Sequence, residues 1–187
     1  MSLLRIFSHT EDYDTEEVNV LKEIEKIRTK PYVMVGVLEG SGPHEAKKNE
    51  KGKVVNPTTV VKIASTQEFG TDKAGPNKDV VIPPRPFISS TMDLQRNHFD
   101  ALTDKMFDKV LSGEATVKKA LDVLGLEIQK EIKARIKIIQ TPRNAPSTIR
   151  AKGSSKPLID TGQMLNSIQF ETVLDGDIDN SENESTE

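Results

Sequence analysis

The longest helical pattern in the chain constrains its fold more than any other feature. It runs from Thr116 to about Ile139. Val117, Leu121, Leu124, Ile128 and Ile132 recur at three- and four-residue spacing, which places them on one face of a helix. Thr116 stands where a side-chain oxygen caps such a helix. Leu126, Ile136, Ile138 and Ile139 widen the apolar surface beyond one face, and the extra strip can serve a subunit interface. A second run, from about Ser90 to Leu111, carries Leu94, Phe99, Leu102, Met106 and Val110 on one stripe. Ser112-Gly113 separates the two runs. The expectation is a helical hairpin.

Around this hairpin the pattern changes period. Tyr32–Leu38 is β-branched and nearly continuous in apolar character, as a strand is. Ile168, Phe170 and Thr172 alternate with Gln169, Glu171 and Val173, which suits a final strand. Val80–Ile82 is a short candidate third strand. The predicted fold class is therefore α+β: a small mixed or antiparallel sheet on a helical hairpin and additional helices, with extended arms and loops.

Further helices are expected on either side of the first strand. From Glu16 to Lys30, Val18, Leu21, Ile24 and Ile27 form one apolar face, and Pro31 stops the run. Thr59 to Glu68 reads as a helix with Val60, Ile63, Ala64 and Gln67 near one face. Phe69 is expected to anchor its end and Gly70 to terminate it. Pro83, Pro84 and Pro86 hold the next segment extended and deliver Phe87 to the core. Thr71–Asp79 and Thr141–Ser155 read as polar and basic loops. At Asp160-Thr161-Gly162, Asp160 or Thr161 is placed to cap a short helical turn, with Gln163 in capping-box position to Asp160. The expected organisation is an N-terminal arm and amphipathic helix over residues 1–30, an α+β domain over 31–174, and an acidic disordered tail over 175–187. Glu39–Asn56 is expected to be a mobile loop.

Composition narrows the chemistry. The 187 residues include no cysteine, which excludes a disulfide framework and thiolate metal sites or catalysis. His9, His44 and His98 are scattered, with no second ligand at metal spacing. Gly52-Lys53 is followed by Val54, and no glycine stands five residues before Gly52, so the phosphate-binding loop pattern is not met. No Ser-centred nucleophile motif is present. No apolar run approaches the roughly 18 residues of a membrane-spanning helix, and the N-terminus lacks the apolar region of a signal peptide. No cofactor and no membrane partner are expected.

Charge is distributed unevenly although the net value is only -3. Between Ile132 and Ile159 stand Lys133, Arg135, Lys137, Arg143, Arg150, Lys152 and Lys156, and no acidic residue. Asp175, Asp177, Asp179, Glu182, Glu184 and Glu187 crowd the other end. This asymmetry predicts a basic contact surface, with Arg143, Arg150, Lys152 and Lys156 as candidate contacts. With no Trp and two Tyr, base stacking has little support, so any DNA contact would be electrostatic.

Four pieces occur in a set order: Glu68-Phe69-Gly70-Thr71, then Ile82-Pro83-Pro84-Arg85-Pro86-Phe87-Ile88, then Pro146–Gly153, then Lys156-Pro157-Leu158-Ile159-Asp160-Thr161-Gly162. Together, over roughly residues 58 to 170, they resemble the bacteriophage tail-completion and neck proteins, the minor tail protein Z-like group. The resemblance implies a structural virion protein rather than an enzyme. It would complete the tail, or join it to the head at the neck, as a ring, often hexameric, around the DNA channel. Implied partners are copies of itself, the tail tube or tail terminator protein, and head–tail connector or portal-side neck proteins. Non-specific contact with channel DNA is a further implied contact. Implied locations are the virion neck and, during assembly, the host cytoplasm. In such a ring the basic stretch would face DNA or an acidic surface of a neighbouring ring, the latter being preferred because the chain as a whole is acidic.

Two alternatives belong to other classes. Leu158-Ile159-Asp160-Thr161-Gly162 matches the local pattern of an aspartic-type hydrolase, in which two carboxylates share a proton. Only 25 residues follow Gly162, too few for the β-barrel that a single-motif dimeric protease builds after it. The other alternative is a DNA-associated packaging factor working through the basic stretch.

Overall fold

The structure, a computed structural model, describes residues 15–38, 59–75 and 77–175. In chain order the elements are α1 (Thr15–Ile27), β1 (Tyr32–Val37), α2 (Val60–Phe69), β2 (Thr71–Ala74), β3 (Val80–Ile82), α3 (Ser89–Leu94), α4 (Arg96–Leu111), α5 (Val117–Ile138), α6 (Pro146–Lys152), α7 (Gln163–Asn166) and β4 (Ile168–Val173). The fold is α+β, with seven helices and two small antiparallel two-stranded sheets among the described residues. The expected arm and acidic tail, and the Glu39–Asn56 loop, fall almost entirely outside those residues.

Helix α5 is the spine. Thr116 caps it, its hydroxyl accepting from the Lys119 N–H at 3.2 Å. Arg135 and Lys137 lie in its last turn, where cations favour the helix dipole. α4 packs beside it as the expected hairpin partner. β1 and β4 pair antiparallel, with Val33 opposite Thr172, Val35 opposite Phe170 and Val37 opposite Ile168. That face lies on α5, and buried Gly125 is what allows the approach. A Cβ there would stand 2.5 Å from Phe170 Cδ2 and 2.8 Å from Val33 Cγ2. Glycine costs a helix interior about 1 kcal/mol relative to alanine; here it admits the sheet. Two polar contacts fix the register: Thr172 Oγ1 donates to Asp122 Oδ1 at 2.7 Å, and Gln129 Nε2 donates to the Ile168 carbonyl at 2.6 Å.

The main core gathers Val60, Ala64, Phe87, Ile132, Ile136, Leu158, Met164 and Ile168, so it draws on three helices (α2, α5 and α7), the strand β4 and two loop segments distant in sequence. A second cluster, Met106, Val110, Val117 and Ala120, fills the hairpin, with Ile27 of α1 against it.

Several sequence expectations are corrected. The Ser90–Leu111 run is two helices, α3 and α4, broken at Gln95 (φ -103°, ψ 9°). The break resets the helical phase, so Leu94 leaves the stripe and is 66% exposed. Of the strip expected to widen α5, Ile136 is buried and Ile139 packs on the core, while Leu126 and Ile138 remain exposed. On α1, Leu21 and Ile24 are exposed. The docked face instead carries Glu23, whose Oε2 accepts from the Val117 N–H at 2.8 Å, and Ile27; capping α5 with Glu23 sets the rotation of α1. Val80–Ile82 does not join β1 and β4. It pairs with β2, inside the segment expected as a polar loop. Within the Thr141–Ser155 loop, Pro146 at the first turn and Gly153 (φ +71°) at the end bound the helix α6. The cap of α7 is Gly162 (φ +83°), with no side-chain cap bond, rather than Asp160. Thr161 Oγ1 accepts from the Gln163 N–H at 3.3 Å.

Candidate functional site

The first two of the four sequence pieces meet in a buried polar clasp. Along α2, Val60, Ala64 and Glu68 are buried, at i, i+4 and i+8. A carboxylate thus takes the inward position at the end of the helix. Phe69, one residue on, turns outward and is 76% exposed, so it does not anchor the helix as expected. Gly70 (φ +74°) ends α2, and no Cβ would fit there: it would lie 2.8 Å from the Ile82 carbonyl and 2.9 Å from Pro84 N. This contact brings the Pro-rich piece back over the end of α2.

Glu68 then accepts four hydrogen bonds. Oε2 takes the Phe87 N–H at 2.7 Å and the Ile88 N–H at 2.9 Å. Oε1 takes the Ser89 N–H at 2.9 Å and the Ser89 hydroxyl at 2.7 Å. Ile88, at the cap of α3, offers no side-chain cap of its own, so the carboxylate of another helix caps α3. Burial alone would raise the Glu68 carboxyl. The N–H groups of Ile88, Ser89 and Phe87 and the Ser89 hydroxyl outweigh it and hold the group below its ordinary value.

Arg85 stands two residues before Phe87 and is 3% exposed. Its backbone N–H donates to the Gln67 carbonyl at 2.6 Å. Nε donates to the Pro142 carbonyl at 2.7 Å, and Nη1 to Gln67 Oε1 at 2.7 Å. Nη2 donates to the Arg143 carbonyl at 3.2 Å and to Asn144 Oδ1 at 3.3 Å. All these acceptors are neutral. Burial lowers the guanidinium's pKa, yet arginine stays charged in proteins. Pro84 and Pro86, exposed on either side, hold the chain extended through this point, and Phe87 is fully buried.

The remaining pieces attach through Asn144. Its Nδ2 donates to the Lys156 carbonyl at 3.4 Å. Lys152 Nζ donates to the Lys156 and Pro157 carbonyls, both at 3.1 Å, and so closes α6 onto the segment leading to Asp160. A cavity of about 210 Å³ lies here, lined by Gln67, Asn144, Thr148, Lys152, Asp160, Thr161 and Gly162 among others. Drug-sized ligands occupy roughly 300–1,000 Å³; this cavity is smaller. Asp160 and Thr161 are exposed, and Asp160 is the one carboxylate among the lining residues. A proton-sharing dyad needs two, so the single chain does not supply the hydrolase arrangement.

Of the candidate contacts, Arg143, Arg150 and Lys156 are exposed, whereas Lys152 is half-buried and engaged. Sequence reasoning missed Gln67, Ser89, Pro142 and Asn144 as clasp partners. Their residue types carry no signal until the chain folds. A cavity of about 670 Å³ lies between α1 and the α4–α5 turn; of the two carboxylates that line it, Glu23 accepts from the Val117 N–H, and Glu114 accepts from Lys109 Nζ and the Ser112 hydroxyl. No group of three His, Asp or Glu among the described residues is arranged to hold a metal ion. No helix among them is long and apolar enough to cross a membrane. Comparison with protein-family models, curated proteins and solved structures gave no match.

Proposed function

We infer that this chain is a structural component of a tailed bacteriophage, completing the tail or joining it to the head at the neck. In this reading copies of the chain form a ring, most simply a hexamer, around the DNA channel. The ring contacts the tail tube or tail terminator on one side and connector or portal-side neck proteins on the other. It acts by binding rather than by catalysis and needs no cofactor.

One observation carries the reading. The pieces on which the resemblance rests, spread from Glu68 to Gly162, serve one structural unit: Glu68 and Arg85 make the clasp, Phe87 fills the core, and Asn144 and Lys152 tie in the Asp160 turn. Residues committed in this way define a scaffold, and the cavity beside them is small and holds a single carboxylate. Exposed apolar side chains supply contact area for neighbours: Phe69, Val80 and Val81 around the β2–β3 ribbon, and Leu126 and Ile138 on α5.

The test is the mass of the purified full chain in solution, alone and mixed with the tail-tube protein. A ring mass, or a complex capping the tube end, is the expected result. A chain that stays monomeric over a wide concentration range and binds no tube end would overturn the reading.

A further inference from the structure

The basic α6 module offers a surface whose partner can be argued from its chemistry. The geometry points to duplex DNA, bound through its phosphate backbone without sequence readout, at Arg143, Arg150 and Lys156. This concerns the single chain and stands or falls separately from the ring reading.

Three observations support it. First, these cations are uncompensated. All three are exposed, and none of the ion pairs among the described residues uses them. Second, they stand on a braced platform with a further positive charge behind it. The buried Arg85 guanidinium donates to the Arg143 carbonyl and to Asn144, and its other acceptors are neutral too, so its charge adds to the local field. Bracing the 142–144 segment also reduces the ordering needed on binding. Third, the side chains beside them suit phosphate oxygens. Ser147 and Thr148 are exposed on α6, and hydroxyls together with Arg and Lys make most contacts to a nucleic-acid backbone.

The same surface lacks the apolar centre of a protein interface: no large apolar residue is exposed between Thr141 and Ile159, whereas the fully buried core of such an interface is mostly apolar and aromatic. The stretch also holds no aromatic residue for stacking on unpaired bases, which favours duplex over single strand. The acidic neighbouring-ring surface preferred from sequence is thus the weaker partner. The chain's net charge of -3 gives no general attraction to DNA, so binding must come from this local patch.

The experiment is fluorescence anisotropy of a labelled duplex of arbitrary sequence titrated with the full chain over a salt series. The variants are the triple change Arg143→Ser, Arg150→Ser, Lys156→Ser and the charge-keeping pair Arg143→Lys, Arg150→Lys. Each phosphate contact contributes about 0.9 to the slope of log K against log salt, so the triple variant should lose about 2.7 of slope. Between about 50 and 200 mM salt, the wild-type chain should then lose about 40-fold more affinity than the triple variant does. The lysine pair should keep the wild-type slope, which a merely structural role for these residues would not require. Melting curves check that each variant is folded. No duplex binding by the wild-type chain at low salt, or an unchanged slope in the folded triple variant, would overturn the proposal. So would poly-glutamate binding as tightly as the duplex and being lost in the same variant, since that result would assign the surface to an acidic protein.

Discussion

Glu68 is the residue whose replacement should report most directly on the clasp. Glu68→Ala removes the acceptor of three backbone N–H groups and one hydroxyl in a site that is 6% exposed. Ser89 Oγ can rotate to another acceptor; the Phe87, Ile88 and Ser89 N–H groups are fixed by the backbone. Leaving a buried donor unpaired costs about 1–3 kcal/mol. Taking the low end, because water can enter the space left by the side chain, gives a loss of about 3 kcal/mol for the three. At about 2–4 °C per kcal/mol for a chain of this length, the melting temperature should fall by about 6–12 °C. Glu68→Gln keeps the shape but turns an NH2 group toward two of the donors, and should lose about half as much. Acidification separates charge from shape. The folded carboxyl lies below its ordinary value of 4.5. Its contribution is therefore fully present above that value and is lost as pH falls through the lower, folded value. The stability gap between wild type and Glu68→Gln should be constant near neutrality and shrink on acidification below about 4.5. The assay is urea unfolding followed by circular dichroism at several pH values. A Glu68→Ala loss below about 1 kcal/mol, or a gap to Gln indifferent to acid, would refute the reasoning.

Phe87 is fully buried in the main core, so Phe87→Ala should lower stability by about 3–5 kcal/mol, read from the urea midpoint. Gly125→Ala gains about 1 kcal/mol of helix propensity but must displace Phe170 or Val33. A net loss of about 1–2 kcal/mol is expected from overpacking, and a stabilised variant would show that the sheet stands off α5. Asp160→Asn should leave both the melting temperature and assembly with partner proteins unchanged, because Asp160 is exposed and lacks a second carboxylate in its cavity. Peptide cleavage by the wild-type chain that disappears in this variant would reinstate the hydrolase reading.

Much of the fold was legible because periodicity is a local property. The α4–α5 hairpin, the Thr116 cap, the strands Tyr32–Val37 and Ile168–Val173, and the burial of Phe87 all follow from spacing and from short-range rules. Failures came where a tertiary contact chose among local options. The break at Gln95 carries no Gly or Pro to announce it. The β2–β3 ribbon closes because Gly70 lets Ile82 and Pro84 approach. α6 does carry its boundary signals, Pro146 and Gly153, but a Pro-, Ser- and Thr-rich composition argued for a loop.

The candidate site divides in the same way. Sequence alone marked Glu68, Gly70, Arg85 and Phe87 as members of ordered pieces, and it located the basic stretch. It could not assign roles, since a glutamate and an arginine in a mostly polar chain are by default solvated. Only the tertiary structure decided that Glu68 caps a helix beginning 21 residues later and that Arg85 reaches a loop more than 55 residues away. It also sent Phe69 outward and left Arg143, Arg150 and Lys156 on the surface. The reason is physical. Helix and strand periods are written in neighbouring residues, whereas the free energy of a buried charge depends on which donors and acceptors the rest of the chain brings within about 3 Å of it.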